Sequence, residues 1–340
     1  MNKKNKKNIK KKKFSFKKLA MFIAFEFLFV CVTSPFIVFY GPFSNLKRIV
    51  VNSAMESMTH QWIATTFLSM DQINKIRNKQ TSTAVSANAQ DATEDLGALS
   101  IPKSHDDNIA LQRIPLNKST GYIMTVSDPS RVRIGVTKKL NVAGQKTSEI
   151  AEEYGGIAAI NGGAFGNSSA DGKQNYGNGG IPKGLIMVDG KLINNPAGSN
   201  SPYNDVIAFK SDGTLVVGTH TVNELISMGV RDAINFGPTL IMNGKPLTQD
   251  DSSSGISGRT AIAQTRDGRT LLFVIDGRQL SSRGATYSEV RDILLQAGAY
   301  NAVLLDGGSS TTMYYDGDIV NSPSDPSGER TVCTAIYVAS

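Results

Sequence analysis

The residues best placed to do chemistry lie in the segment Leu304-Leu305-Asp306-Gly307-Gly308-Ser309-Ser310-Thr311-Thr312-Met313. An apolar run from Ala302 to Leu305 stops at a carboxylate, and two glycines and a run of hydroxyl residues follow. A strand that ends this way sets a charge at a sheet edge beside bare backbone amides and short donors, which suits an anionic, oxygen-rich ligand. Other segments share the form. Ile157-Ala158-Ala159-Ile160 runs into Asn161-Gly162-Gly163-Ala164-Phe165, and Phe273-Val274-Ile275 ends at Asp276-Gly277-Arg278. Arg259 opens the run Thr260-Ala261-Ile262, and Asn235-Phe236-Gly237-Pro238 breaks the chain before Thr239. Singly, each has a plain reading as a turn or a surface ion pair. Together they offer carboxylates for acid–base or nucleophilic work and guanidinium groups for a phosphate or carboxylate. Residues 166–183, rich in Gly, Asn and Ser, form a long loop able to cover a pocket.

Several chemistries are poorly supported. His60, His105 and His220, with Cys31 and Cys333, are too scattered for a familiar structural zinc site. His220 is the only histidine in the globular part, where it reads as a turn cap or a surface residue, and no Gly-x-Ser-x-Gly elbow accompanies it. No phosphate-cradling Walker motif or strand-linked dinucleotide fingerprint is present. The two cysteines fall in different settings, so no internal disulfide is expected.

The elements that must position these residues are legible in outline. The chain of 340 residues carries a formal charge of +7, but ten lysines and no acid fall in residues 1–18, so residues 19–340 carry −3. The basic balance is a local tail, not a nucleic-acid footprint. Leu19 to Tyr40 follows with Glu26 as its one charge. At about 1.5 Å per residue this run is long enough for a hydrocarbon core of roughly 30 Å. The lysines put its N-terminal end in the cytoplasm and everything after Tyr40 outside; a cleaved signal peptide is the rival reading. Residues 41–80 read as a helical stalk in which His60 is a packing or surface residue. The small, polar residues 81–108 read as a linker, with His105 in it and without a chemical role. Residues 109–340 form the globular domain. An exported domain of this size without disulfides fits a bacterial surface.

Within the domain, Asp-Gly or Asn-Gly pairs separate β-branched runs in 184–193, 206–217, 239–247, 259–275 and 311–320, each a hairpin signal. Thr286 with Glu289, and Thr221 with Glu224, are capping boxes that open helices stopped by Gly298 and Gly229; a third helix is expected over Thr147–Tyr154. The expected fold class is α+β: a mixed, largely antiparallel sheet with many hairpins and a few helices, preceded by one transmembrane helix and a helical stalk.

The site segments, in this order and together with Ile181-Pro182-Lys183-Gly184, Gly237-Pro238 and Gly328-Glu329-Arg330, resemble the phosphodiester glycosidase family. The resemblance spans roughly residues 115–340, and the set of motifs is far more specific than any one piece. Ala164 stands where the family usually has an aromatic residue, and Ser309 where a third glycine is common. The resemblance implies hydrolysis of a sugar-1-phosphodiester at the anomeric carbon, and the outward-facing location makes a phosphate-linked glycan of the cell envelope the expected substrate. A phosphate monoester leaves more easily than an alkoxide, so the demand for a strong general acid is low. It implies Asp306, Asp276 and Arg259 as catalytic residues, the order of the carboxylates being open, with Arg259 and Arg278 holding phosphate. Asn161, Gly162, Gly163, Gly307, Gly308, Ser309, Ser310, Thr311, Glu329 and Arg330 are the remaining substrate-binding candidates. No cofactor is required by the sequence. A divalent cation held by Asp306, Asp276 and Glu329 would instead make a phosphodiesterase that cleaves P–O. A third reading is a non-catalytic module that binds or assembles envelope polysaccharide. The stalk pattern is too short to fix an oligomeric state.

Overall fold

The computed structural model describes residues 16–55, 61–81, 93–102, 105–166, 178–249, 251, 255–279, 281–325 and 327–340. The lysine-rich residues 1–15, His60 and most of the loop 166–183 lie outside the described residues. The chain forms two compact units, divided near Arg77.

The first unit opens with α1 (Phe16–Tyr40), the one described helix long and apolar enough to cross a membrane. It starts three residues before the expected Leu19, because Lys17 and Lys18 continue the helix instead of preceding it. Among the described residues the expected stalk contains α2 (Ser44–Met55), α3 (Trp62–Thr65) and α4 (Met70–Thr81). Ser69 and Gln72 form a reciprocal capping pair that restarts the chain as α4. The helices are not strung end to end. Phe39, Val51, Met55, Ala64, Leu68 and Ile73 share one buried cluster, with the Phe67 ring stacked 4.9 Å from that of Phe39.

The second unit contains three sheets in which every described strand pair is antiparallel. With strands numbered in chain order, the first sheet runs β1 (Ile109–Leu116), β2 (Ser119–Val126), β13 (Thr270–Ile275), β12 (Arg259–Thr265), β14 (Ala299–Leu305), β10 (Thr239–Met242), β11 (Lys245–Pro246). The second runs β16 (Asp318–Ile319), β15 (Met313–Tyr315), β4 (Gly156–Asn161), β17 (Thr334–Ala339), β3 (Val132–Val136). The third runs β6 (Lys191–Asn194), β5 (Ile186–Val188), β9 (Val230–Asn235), β7 (Pro202–Lys210), β8 (Leu215–Thr221). All five expected hairpins form. The three helices appear as α5 (Thr147–Glu153), α6 (Val222–Ser227) and α7 (Tyr287–Gln296), the last two opened by the capping boxes read from sequence.

Alternate residues of each central strand serve two cores. Ile262, Leu272, Val274, Ile207, Phe209 and Ile160 enter one cluster shared by all three sheets. Their neighbours face a helix: Ala261, Phe273 and Ile275 pack with Val290 and Leu294 of α7, Val206 and Ala208 with Leu225 of α6, and Ala159 with Ala151 of α5. Burial on both faces explains why β12, β13 and β14 read as apolar runs rather than alternating patterns.

The linker expectation needs correcting at its end. Residues 93–100 dock on the domain as a strap. Glu94 Oε1 accepts from the Val217 amide at 3.1 Å and from Asn301 Nδ2 at 2.6 Å, and Leu96 packs against the core between β7 and α6. His105, also placed in the linker, bonds Asp128 at 2.5 Å. His220, read from sequence as a turn cap or a surface residue, lies instead within β8, half-buried against the Val217 carbonyl.

Candidate active site

Three neighbouring strands deliver the charged candidates to one edge. Arg259 begins β12, where it pairs with Ile275 of β13, and Thr260 pairs with Leu305 of β14. Asp276 and Asp306 therefore emerge on either side of Arg259, two strand spacings or about 10 Å apart at the backbone. From Asp306 the chain crosses to the second sheet, through the turn Gly308–Ser310 into β15. The third sheet reaches the same place: the Gly237 amide donates to the Leu304 carbonyl, and the Leu304 amide donates to that of Pro238.

Asn161 fastens this junction. Its Oδ1 accepts from Thr260 Oγ1 at 2.8 Å and from the Thr312 amide at 3.1 Å, while Nδ2 donates to the Asp306 carbonyl. The side chain is fully buried, so Asn161 sets the shape of the loop and does not reach a ligand. The neighbouring amides are committed too, that of Gly162 to the Thr334 carbonyl and that of Gly163 to Thr334 Oγ1. Gly162 carries no side chain because a Cβ there would meet Thr334 Oγ1 at 2.4 Å.

Arg259 is likewise a framework residue. It is buried, donates to the Ala285 carbonyl at 3.0 Å and the Gly255 carbonyl at 2.8 Å, and stacks 4.4 Å from the Tyr287 ring centre. Two other arginines near the junction are reached by solvent. Arg278 is exposed and holds a left-handed backbone (φ 59°). Its guanidinium lies 3.0 Å from where a Cβ on Gly308 would stand, so Gly308 makes room for it. Arg330, half-buried, donates to Ser309 Oγ at 3.3 Å and stacks 4.6 Å from the Phe165 ring centre. Glu329 is removed from the set, because its carboxylate accepts from the amide and hydroxyl of Ser148 at the start of α5.

The two carboxylates differ. Asp306 and Gly307 are half-buried and reachable. Asp276 is 5% exposed, with Oδ1 accepting from Asn321 Nδ2 at 3.0 Å and from the Ser322 amide at 2.9 Å. Burial raises the Asp276 carboxyl above the ordinary range, against the lowering pull of those two bonds and of Arg113. Beneath them Ser310, Thr311 and Thr312 are buried, and their hydroxyls have no hydrogen-bond partner among the described residues; the Ser257 hydroxyl is the same. Ser257-Gly258 threads between the loops. A Cβ on Gly277 would stand 2.1 Å from the Gly258 nitrogen, one on Gly284 2.2 Å from the Ser257 carbonyl, and one on Gly307 2.7 Å from the Gly258 oxygen.

Residues not singled out from sequence include Gly258, Tyr287, Asn321 and Ser322. Asn321-Ser322-Pro323 carries a recognisable turn signal, but nothing local connects it to Asp276, 45 residues away.

The sequence profile described as phosphodiester glycosidase matches residues 154–339, more than half of the chain and all of the junction's second and third sheets except β3. The chain belongs to the phosphodiester glycosidase family. Among its relatives, the SPbeta prophage-derived protein YomE of Bacillus subtilis is 34% identical over 149 residues, covering 42% of this chain and 23% of YomE. The mouse N-acetylglucosamine-1-phosphodiester alpha-N-acetylglucosaminidase is 29% identical over 160 residues, covering 42% of this chain and 30% of the enzyme. The chain thus spans less than a third of the length of the curated relatives it matches. The zebrafish enzyme's catalytic domain, solved as auto-inhibited by its pro-peptide, superposes with a TM-score of 0.58 at 23% identity, over 76% of this chain and 94% of that one. That likeness is one of fold, and it agrees with the α+β, antiparallel architecture.

Proposed function

We propose that residues 93–340 form an extracytoplasmic hydrolase that cleaves the anomeric C–O bond of a sugar-1-phosphodiester in a cell-envelope glycan. The observation that carries this reading is the edge formed by β13, β12 and β14, where Asp276 and Asp306 flank a loop faced by Arg278 and Arg330. Arg278 and Arg330 hold the phosphate, with Ser309 supplying a hydroxyl. Asp306, the reachable carboxylate, acts on the anomeric carbon, directly or through water. Asp276, with its raised proton affinity, exchanges the proton. Water's oxygen ends on the sugar, its proton count balances on the departing phosphate monoester, and no oxidant or reductant is needed. The buried hydroxyls of Ser310 and Thr311 form a polar floor under this centre.

Hydrolysis in heavy-oxygen water tests the reading: label in the sugar hydroxyl is expected, and label in the phosphate overturns it in favour of P–O cleavage. The geometry gives that alternative less support. Among the described residues no group of three His, Cys, Asp or Glu side chains converges as a metal site, and Glu329 is turned to Ser148. A chelator arm belongs in the same assay. The α1 helix acts as a membrane anchor that keeps the domain on the outer side, where anionic phosphate-linked polymers lie within reach.

A further inference from the structure

Asn321 lies just beyond β16, buried at 7% exposure, and its carboxamide uses both donors and its oxygen. Nδ2 donates to Asp276 Oδ1 at 3.0 Å and to the Thr311 carbonyl at 3.1 Å, and Oδ1 accepts from the Met313 amide at 2.7 Å. One planar group therefore ties the end of β13 to the C-terminal end of the hydroxyl-rich segment that follows Asp306. The Ser322 amide adds a second donor to the same Asp276 oxygen. Asp276 Oδ2 has no hydrogen-bond partner among the described residues, so the carboxyl is clamped by one oxygen and presents the other.

We infer that Asn321 is the positioning residue that fixes the orientation and the ionisation of Asp276 and holds it in register with the Asp306 loop. The inference rests on the proposed reading of Asp276 as the proton-exchanging group. A carboxylate that accepts two amide hydrogens is stabilised in its charged form, so the clamp opposes the effect of burial. The other groups around Asp276 are few. Arg113 of β1 is the charged side chain acting on it, the Thr120 carbonyl of β2 takes its amide hydrogen, and Ser282 Oγ donates to its carbonyl.

Two substitutions separate positioning from packing. Asn321→Ala removes the donors. Asn321→Asp keeps the volume and the acceptor for the Met313 amide, but sets a second carboxyl about 3 Å from Asp276, where the pair shares a proton. In the full chain on a defined sugar-1-phosphodiester, both are expected to lower kcat by about 10–100-fold with KM little changed. The pH–rate limb assigned to Asp276, identified by its loss in Asp276→Asn, should move upward in both variants and further in Asn321→Asp. A packing role predicts the opposite order, with the isosteric Asp milder than Ala. If both variants lose activity only in step with their thermal midpoints while the limb stays put, the inference is overturned. Carboxyl ¹³C titration of Asp276 in the full chain reads the same shift without turnover. A wild-type chain that hydrolyses no sugar-1-phosphodiester, yet whose Asp276 titration moves as stated, sinks the functional reading and keeps this one. Unmoved titration beside normal wild-type turnover does the reverse.

Discussion

Arg278 is the residue where stability and activity should separate most cleanly. A non-glycine side chain in the left-handed region costs on the order of 1 kcal/mol, and strain of this kind gathers at working sites. Arg278→Gly relieves it while removing the exposed guanidinium. Its thermal midpoint should hold or rise, while kcat/KM on a sugar-1-phosphodiester falls; unchanged turnover would remove Arg278 from phosphate binding. Asp306→Asn and Asp276→Asn should each lower kcat by about 10²–10⁴-fold, the usual worth of a positioned acid–base group. Asn161→Ala should instead cost stability, about 2–3 kcal/mol by denaturant titration, because Thr260 Oγ1 and the Thr312 amide lose their buried acceptor. At this scale the sequence was informative about which residues gather and less so about which of them touch ligand. The gathering of Asp276, Asp306, Arg278, Gly308 and Ser309 at one edge was legible because charge and glycine at a strand's end have few bland uses. The framework duties of Asn161, Arg259 and Glu329 were not, since a buried carboxamide or guanidinium and a ligand-binding one look alike until their partners are known.

Among the elements, the strap carries its own titration. Desolvation pushes the Glu94 carboxyl up to about 8 from its ordinary 4.5, the Val217 amide pulling the other way. Its Oε2 is buried without a hydrogen-bond partner among the described residues, as a protonated acid would tolerate better than an anion. The folded state therefore binds the extra proton. The strap's docking is strongest below pH 4.5, weakens as pH rises towards about 8, and changes no further above it. The full shift corresponds to roughly 4–5 kcal/mol, but the realised loss stops at the strap's own docking energy, since an opened strap rehydrates the carboxylate. Proteolytic nicking within residues 93–102 should accelerate between pH 5 and about 8 after correction for the protease's own profile. Glu94→Gln should flatten that dependence, and nicking that stays pH-dependent in the variant would refute the assignment. Hairpins and capping boxes were legible because each is written in two to four adjacent residues. The strap was not: Glu94 meets Val217 and Asn301 more than a hundred residues away, and nothing in a small, polar stretch announces those partners.

For the whole molecule, α1 predicts stable membrane association. The full chain should stay with membranes through alkaline carbonate, and protease added outside intact cells should degrade residues beyond Tyr40; protection of the domain would reverse the proposed topology. The α+β, largely antiparallel character of the sheet domain was foreseen, but the three-sheet arrangement was not. Residues such as Phe273 and Ile262 look equally apolar from sequence, yet serve opposite faces of one sheet. The close threading of Ser257-Gly258 has a consequence for how the protein tolerates change. Where Gly258, Gly277, Gly284 and Gly307 meet, backbone occupies the space that a methyl group would need. In a saturation library the least permissive codons of the domain should thus cluster at positions that have no side chain at all, and the local freedom to evolve a new specificity should lie in the arginines that overhang them.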